Sequence, residues 1–137
     1  MKAYWDSSAL VTALLSGRTV KGVTRTHSLA EVFSTFTGRG AGMMHAGKNV
    51  QVRLSPGDAA ALISSLRPGL GFEELTPEET FEAMDEAQSR GVRGGAVHDW
   101  LHAKAALKAG APVIYTSNRA DFESFGLKLV LKDPSAE

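Results

Sequence analysis

Short apolar runs alternate along this chain with longer stretches in which apolar positions recur at helical spacing. The first run, "KAYW" (2–5), predicts a short buried strand. The stretch behind it, "SSALVTALLSG" (7–17), predicts a helix with apolar spacing at Leu10, Leu14 and Leu15, Ser7 as N-cap and Gly17 as its stop. "KGVTRT" (21–26) reads as a second strand and "SLAEVFSTFTG" (28–38) as a helix capped by Ser28. The Gly-rich stretch "GRGAGMMHAGKNVQVRL" (38–54) is weakly periodic and reads as a long connecting loop with room for a short helix. Ser55 and Pro56 then open another helix, and "GFEEL" (71–75) is the next strand candidate. Thr76, Pro77 and Glu79 repeat the start signal as a capping box, for a helix ending at Gly91. "GGAVHDWLHAKAALKAGAP" (94–112) predicts a helix with an Ala/Leu stripe, "VIYT" (113–116) a strand, "NRADF" a short helix and "KLVL" (128–131) a last strand.

Strand and helix in alternation predict an α/β chain with three layers, a central parallel sheet of four to five strands between two layers of helices. Right-handed crossovers place every strand's C-terminal end, and the start of every following helix, along one edge of the sheet. Ligands bind at that edge, near the point where strand order reverses. With 137 residues, 43% of them hydrophobic, the chain can bury one real core and not two. Residues 1–132 are therefore expected to form a single domain and 133–137 a frayed tail.

The absence of cysteine excludes a disulfide framework, a thiolate metal site and a thiol nucleophile. Metals that take oxygen or imidazole ligands remain. The apolar residues 9–15 do not make a signal peptide, because Asp6 interrupts their approach and no small-residue cleavage site follows. No run approaches a membrane span, so the expectation is a soluble cytoplasmic protein. The net charge of zero hides a segregation: residues 7–57 carry +5, with Glu31 the sole acid, and residues 58–137 carry −5. A segregated basic region can attract phosphate, unless the fold intermingles the charges at the surface.

Four acids fall where candidate strands end or helices begin: Asp6, Glu31, Asp99 and Asp121. Helix capping explains each one singly. Carboxylates are favoured at helix N-termini by roughly 0.3–1 kcal/mol, "SLAE" has the form of a capping box, and "NRAD" has that of an Asn-capped turn. Together they pose a different problem, because the predicted topology drives all four toward one sheet edge. Carboxylates gathered within a few ångströms repel, and a proton or a cation must come between them. Oxygen ligands without clustered His or Cys select Mg²⁺ or Mn²⁺ over zinc, and such an ion can activate a water against a phosphodiester.

"YWDSSALV", "HSLAEVFSTF", "GGAVHDWLHAKAALKAG" and "YTSNRADFES" resemble, in order and over nearly the whole chain, the four motif regions of PIN-domain ribonucleases, specifically the VapC-type toxins of toxin–antitoxin pairs. The resemblance implies a PIN-like domain in which Asp6, Glu31, Asp99 and Asp121 form the acidic site. Asp6, Asp99 and Asp121 are then the direct ligands of Mg²⁺ or Mn²⁺, with Ser7 and Thr116 as hydroxyl groups beside them. Asn118 stands where many PIN proteins carry an acid, which lowers the site's charge and leaves one or two metals open. The resemblance further implies RNA as substrate, hydrolysed by a metal-activated water, a VapB-like antitoxin as partner, and a homodimer.

Arg39, Lys48, Arg53, Arg93 and Arg119 are the candidates for holding RNA phosphates. His98 and His102 share a helix face four residues apart, but without a third imidazole they read as structural or surface residues. His27 and His45 read as surface positions, and Trp5, Phe33, Phe36, Trp100 and Phe122 as core. Two rival readings stay open: a catalytically inactive PIN-like RNA- or protein-binding module, and a phosphatase of the haloacid-dehalogenase type with Asp6 as nucleophile. The second normally wants another acid two residues on, where this chain has Ser8.

Overall fold

Tyr4 and Trp5, adjacent and both buried, show how the molecule is layered. In a strand successive side chains point to opposite faces, and in β1 (Ala3–Trp5) Tyr4 enters one hydrophobic core while Trp5 enters another. A computed structural model describes residues 2–135 and, for Met43, Met44 and His45, the backbone alone.

Five short strands build the sheet: β1, β2 (Gly22–Thr24), β5 (Leu70–Phe72), β6 (Val113–Tyr115) and β7 (Val130–Lys132), in the order β5-β2-β1-β6-β7 and all parallel. On the Trp5 face lie α1 (Ser7–Ser16), α2 (Thr26–Thr37) and α3 (Pro56–Ser64), which bury Leu10, Val32, Phe36 and Ala59. On the Tyr4 face lie α4 (Pro77–Ser89), α5 (Ala96–Lys108) and α6 (Arg119–Glu123), which bury Ala83, Trp100, Ala106 and Phe122. This is the three-layer α/β/α arrangement expected, with five strands. From β1 the chain builds outward through β2 to β5, then crosses back to β6 on the other side of β1. Strand order therefore reverses between β1 and β6, which places the C-terminal ends of these two strands at the switch point.

Several local expectations are corrected. The N-cap of α1 is Asp6, whose side chain accepts from the Ala9 N–H, and Ser7 is the first helical residue. Helix α2 starts at Thr26, two residues before the predicted cap, so Ser28 lies inside it and bonds Thr24 at 2.7 Å. Its Thr26 N–H is satisfied from far along the chain by Glu74, at 2.8 Å. Phe33, expected in the core, is 38% exposed.

The predicted loop 38–54 is instead an antiparallel hairpin, β3 (Ala41–His45) and β4 (Lys48–Val52), forming a second sheet. It is closed by Ala46 and Gly47, both in the left-handed region at φ 51° and 77°, as a two-residue hairpin turn requires. Its base is fixed to the end of α2 by Gly40 N–H on Thr35 O and Leu54 N–H on Phe36 O. The tail expected to fray is held as far as Pro134, which is buried and whose carbonyl accepts from Arg18. Residues 136 and 137 lie outside the described residues. No described helix is long and apolar enough to cross a membrane.

Candidate functional site

The end of β1 delivers Asp6 into the switch point, where it is 1% exposed. Its Oδ1 accepts two bonds, from the Ala9 N–H at 2.8 Å and the Ser8 hydroxyl at 2.7 Å. Oδ2 is buried and meets no donor at hydrogen-bond geometry, although the Thr116 hydroxyl is near enough to moderate its charge. Burial pushes the Asp6 carboxyl above the usual range, against the pull of Thr116, Ala9 and Ser8. The Ser8 oxygen also accepts the Ser117 N–H at 3.0 Å, joining the ends of β1 and β6 around Asp6. The hydroxyl on the carboxylate is thus that of Ser8, where Ser7 was expected. Ser8 is also the residue that takes the place of a phosphatase's second acid, and it spends its proton on Asp6.

Asp99 lies half-buried in the first turn of α5, and Asp121 lies exposed in the first turn of α6. The Asp99 carboxyl is pushed up to about 7, first by burial and then by the negative charge of Asp6. Asp121 adds its own charge and stands close enough to hydrogen-bond Asp99 when one of the two is protonated. Thr116 is buried beside them and accepts the Asn118 N–H at 2.9 Å. Asn118 occupies the cap position of α6 without making a side-chain cap bond, so the Asn-capped turn is not what holds this segment.

Glu31 is six residues into α2, beyond the reach of a capping box, and its Oε1 lies 3.1 Å from His102 Nε2. Burial works against its charge, but the hydrogen bond from His102 holds its carboxyl below the usual range. The buried His102 also lies within electrostatic reach of Asp6 and Asp99. It therefore belongs to the site, which its i,i+4 spacing to His98 did not disclose; its place one turn after Asp99 was the available signal.

Asp6, Asp99 and Asp121 are brought together, and Glu31 joins them through His102. Arg119, the first residue of α6, and Arg93, just before α5, are exposed near the two helix starts that carry Asp121 and Asp99. Arg39, Lys48 and Arg53 belong to the hairpin segment, whose base is fixed at the far end of α2. For His45, only the backbone is described.

A hard divalent ion fits the chemistry of these groups, since Asp6 Oδ2 lacks a partner and the Asp99 carboxyl is held against two other acids. The ligand set is not preformed. Among the described residues no three His, Asp or Glu side chains are placed to hold one ion. A proton held between Asp99 and Asp121 would be the alternative answer to the same repulsion.

No protein-family model and no curated protein matches the sequence. Solved structures do match. A chain of VapBC-1 from nontypeable Haemophilus influenzae aligns at 14% identity over 99% of this chain and 100% of that one, with a TM-score of 0.60. A chain of VapBC2 from Rickettsia felis, solved bound to a promoter DNA fragment, aligns at 15% identity over 97% and 98%, with a TM-score of 0.63. The fold is PIN-like. In this PIN-like fold the acids occupy the switch-point edge of the parallel sheet, where ligands bind in sheets of this class.

Proposed function

We propose that the chain is a metal-dependent endoribonuclease, the VapC-type toxin of a VapBC-like pair. The observation that carries this reading is the convergence of Asp6, Asp99 and Asp121 at the switch point, with a buried carboxylate oxygen left unpartnered and Asp99 raised to about 7 by burial and its acidic neighbours. Asp6, Asp99 and Asp121 would hold Mg²⁺ or Mn²⁺, and such an ion supplies Lewis acidity toward a phosphodiester and a water. The chain's own residues do the rest. The Ala9 N–H and Ser8 hydroxyl orient Asp6 with Oδ2 aimed away from the helix cap. Glu31, kept ionised by His102, is a carboxylate able to take a proton from an attacking water. Arg93 and Arg119, exposed beside the starts of α5 and α6, would steady RNA phosphates at this edge.

The likeness to chains from VapBC complexes supports a small VapB-like antitoxin as partner; the working unit of this proposal is a homodimer acting in the cytoplasm. An apolar recess of about 500 Å³ between α2, α3 and β5, rimmed by the exposed Phe33 and Phe72, is a candidate seat for such a protein partner. In the test, the purified chain is incubated with a generic RNA and Mn²⁺ or Mg²⁺. Cleavage is expected, lost on chelation and on Asp6→Asn. Equal cleavage by wild type and Asp6→Asn would discredit the nuclease reading. The unformed ligand set and the neutral Asn118 favour a second reading, an inactive PIN-like binding module. Retention of intact RNA, indifferent to metal, is the outcome that selects it.

A further inference from the structure

Five polar residues are buried among those described: Asp6, Thr24, Ser28, His102 and Thr116. Asp6, Thr24 and Thr116 lie at the C-terminal ends of strands, Ser28 in the first turn of α2, and His102 midway along α5, one turn after Asp99. Buried polar groups are costly unless satisfied, so their collection at one edge marks a place where packing has yielded to something else. Asp6 and Thr116 are at the acids themselves. Thr24 and Ser28 bond each other at 2.7 Å, and Thr24 also donates to Trp5 O.

His102 is the member that a packing role explains least. It is 1% exposed on a helix whose other buried residues are Trp100 and alanines, and a leucine would fill such a position without a polar atom. Both of its ring nitrogens are occupied. Nδ1 lies 2.6 Å from the Tyr4 hydroxyl, and Nε2 lies 3.1 Å from Glu31 Oε1. An ionised carboxylate only accepts, so Nε2 must carry a proton. Burial keeps the fully enclosed Tyr4 hydroxyl protonated, and it can donate to the lone pair of Nδ1. One neutral tautomer therefore satisfies the whole row.

We propose that His102 is a positioning residue, held by the Tyr4 hydroxyl so that its Nε2–H fixes the Glu31 carboxylate at the edge of the acidic site. It is too deeply buried to meet a substrate, so it acts through Glu31. The role is geometric, comparable to the outer partners that orient catalytic carboxylates and imidazoles elsewhere. The rate measurements below rest on the nuclease reading; the spectroscopic ones do not.

The whole chain, labelled with ¹⁵N-histidine, is examined by long-range ¹H–¹⁵N spectra at pH 8. The result expected is the Nε2–H tautomer for His102, with Glu31→Gln moving the Nε2 resonance and Tyr4→Phe the Nδ1 resonance. In RNA cleavage, His102→Leu should lower kcat by about tenfold or more with KM unchanged, and His102→Gln, which keeps an N–H donor, should recover most of it. Should His102→Leu not fold, Tyr4→Phe removes a single hydroxyl and is expected to lower kcat in the same way. An Nδ1–H tautomer indifferent to Glu31→Gln would overturn the proposal, and so would wild-type kcat in a folded His102→Leu. If the wild-type chain leaves RNA intact, the nuclease reading falls, and the imidazole resonances alone then uphold or overturn the positioning.

Discussion

Between the ordinary pKa of an aspartate and the value of about 7 that Asp99 takes in the folded chain lies a window of pH in which folding takes up a proton. Within it the native state binds more protons than the unfolded state, so stability falls as pH rises. Asp6 is shifted in the same direction, while Glu31, shifted down, adds stability that is lost only in acid below its ordinary range. Urea unfolding in the presence of chelator should therefore show wild type losing stability from pH 5 to pH 8, and Asp99→Asn losing less. A wild-type and an Asp99→Asn profile that run parallel would show that Asp99 is not the group responsible. Asp6→Asn is a sharper case. Asparagine is as good an N-cap as aspartate, and it removes a buried carboxylate charge that burial already disfavours. The variant predicted to abolish cleavage should then be at least as stable as wild type without metal, by up to about 1 kcal/mol in urea unfolding.

The start of helix α4 was legible because everything that makes it is local: the Thr76 hydroxyl accepts from the Glu79 N–H at 3.0 Å, and the Glu79 carboxylate accepts from the Thr76 N–H at 2.7 Å. Helix α2 was misread because what starts it is not local. Arg25 at its cap position makes no side-chain cap bond, and Glu74, after β5, supplies the acceptor for its first N–H. A chain read residue by residue could only assign "SLAE" to capping, and that assignment concealed both the burial of Ser28 and the pairing of Glu31 with His102. Loss of either device should cost a comparable amount: Thr76→Ala and Glu74→Ala are each expected to lower unfolding free energy by about 1 kcal/mol in urea titrations. A Glu74→Ala change without effect would mean that α2 needs no such acceptor. The hairpin escaped notice for a third reason. Residues Lys48–Gln51 are exposed on both faces, so no buried side recorded a period of two, and its turn uses Ala46 where Asn or Asp would have announced it. The acids, by contrast, were legible as a set because topology alone assigned their edge; their exact partners, Ser8 and His102, depended on packing between elements distant in sequence.

At the scale of the molecule, the bases of the +5 segment lie in its loops and hairpin, and α1 and α2 carry no Lys or Arg. Helices α1, α2 and α3 pack over the Trp5 face of the sheet, whereas α4, α5 and α6 pack over the Tyr4 face. A group of exposed bases can draw RNA toward one side of a protein of zero net charge while the acids at the switch point stay available for a cation. Arg39, Lys48 and Arg53 are exposed on the hairpin segment, which joins the Trp5-face core through Ala41 and Leu54. Their segment is anchored at the C-terminal end of α2, roughly 9 Å along the helix from Glu31. Contacts there should contribute affinity without touching the reaction. Replacing all three by Gln is expected to weaken RNA binding and to reduce the slope of log K against log salt by about 2, at roughly 0.7 per phosphate for a single strand. Cleavage under saturating RNA should keep its wild-type kcat. A salt slope unchanged by the triple substitution would mean that RNA reaches the acids across the other face, and that these three bases are only solvated.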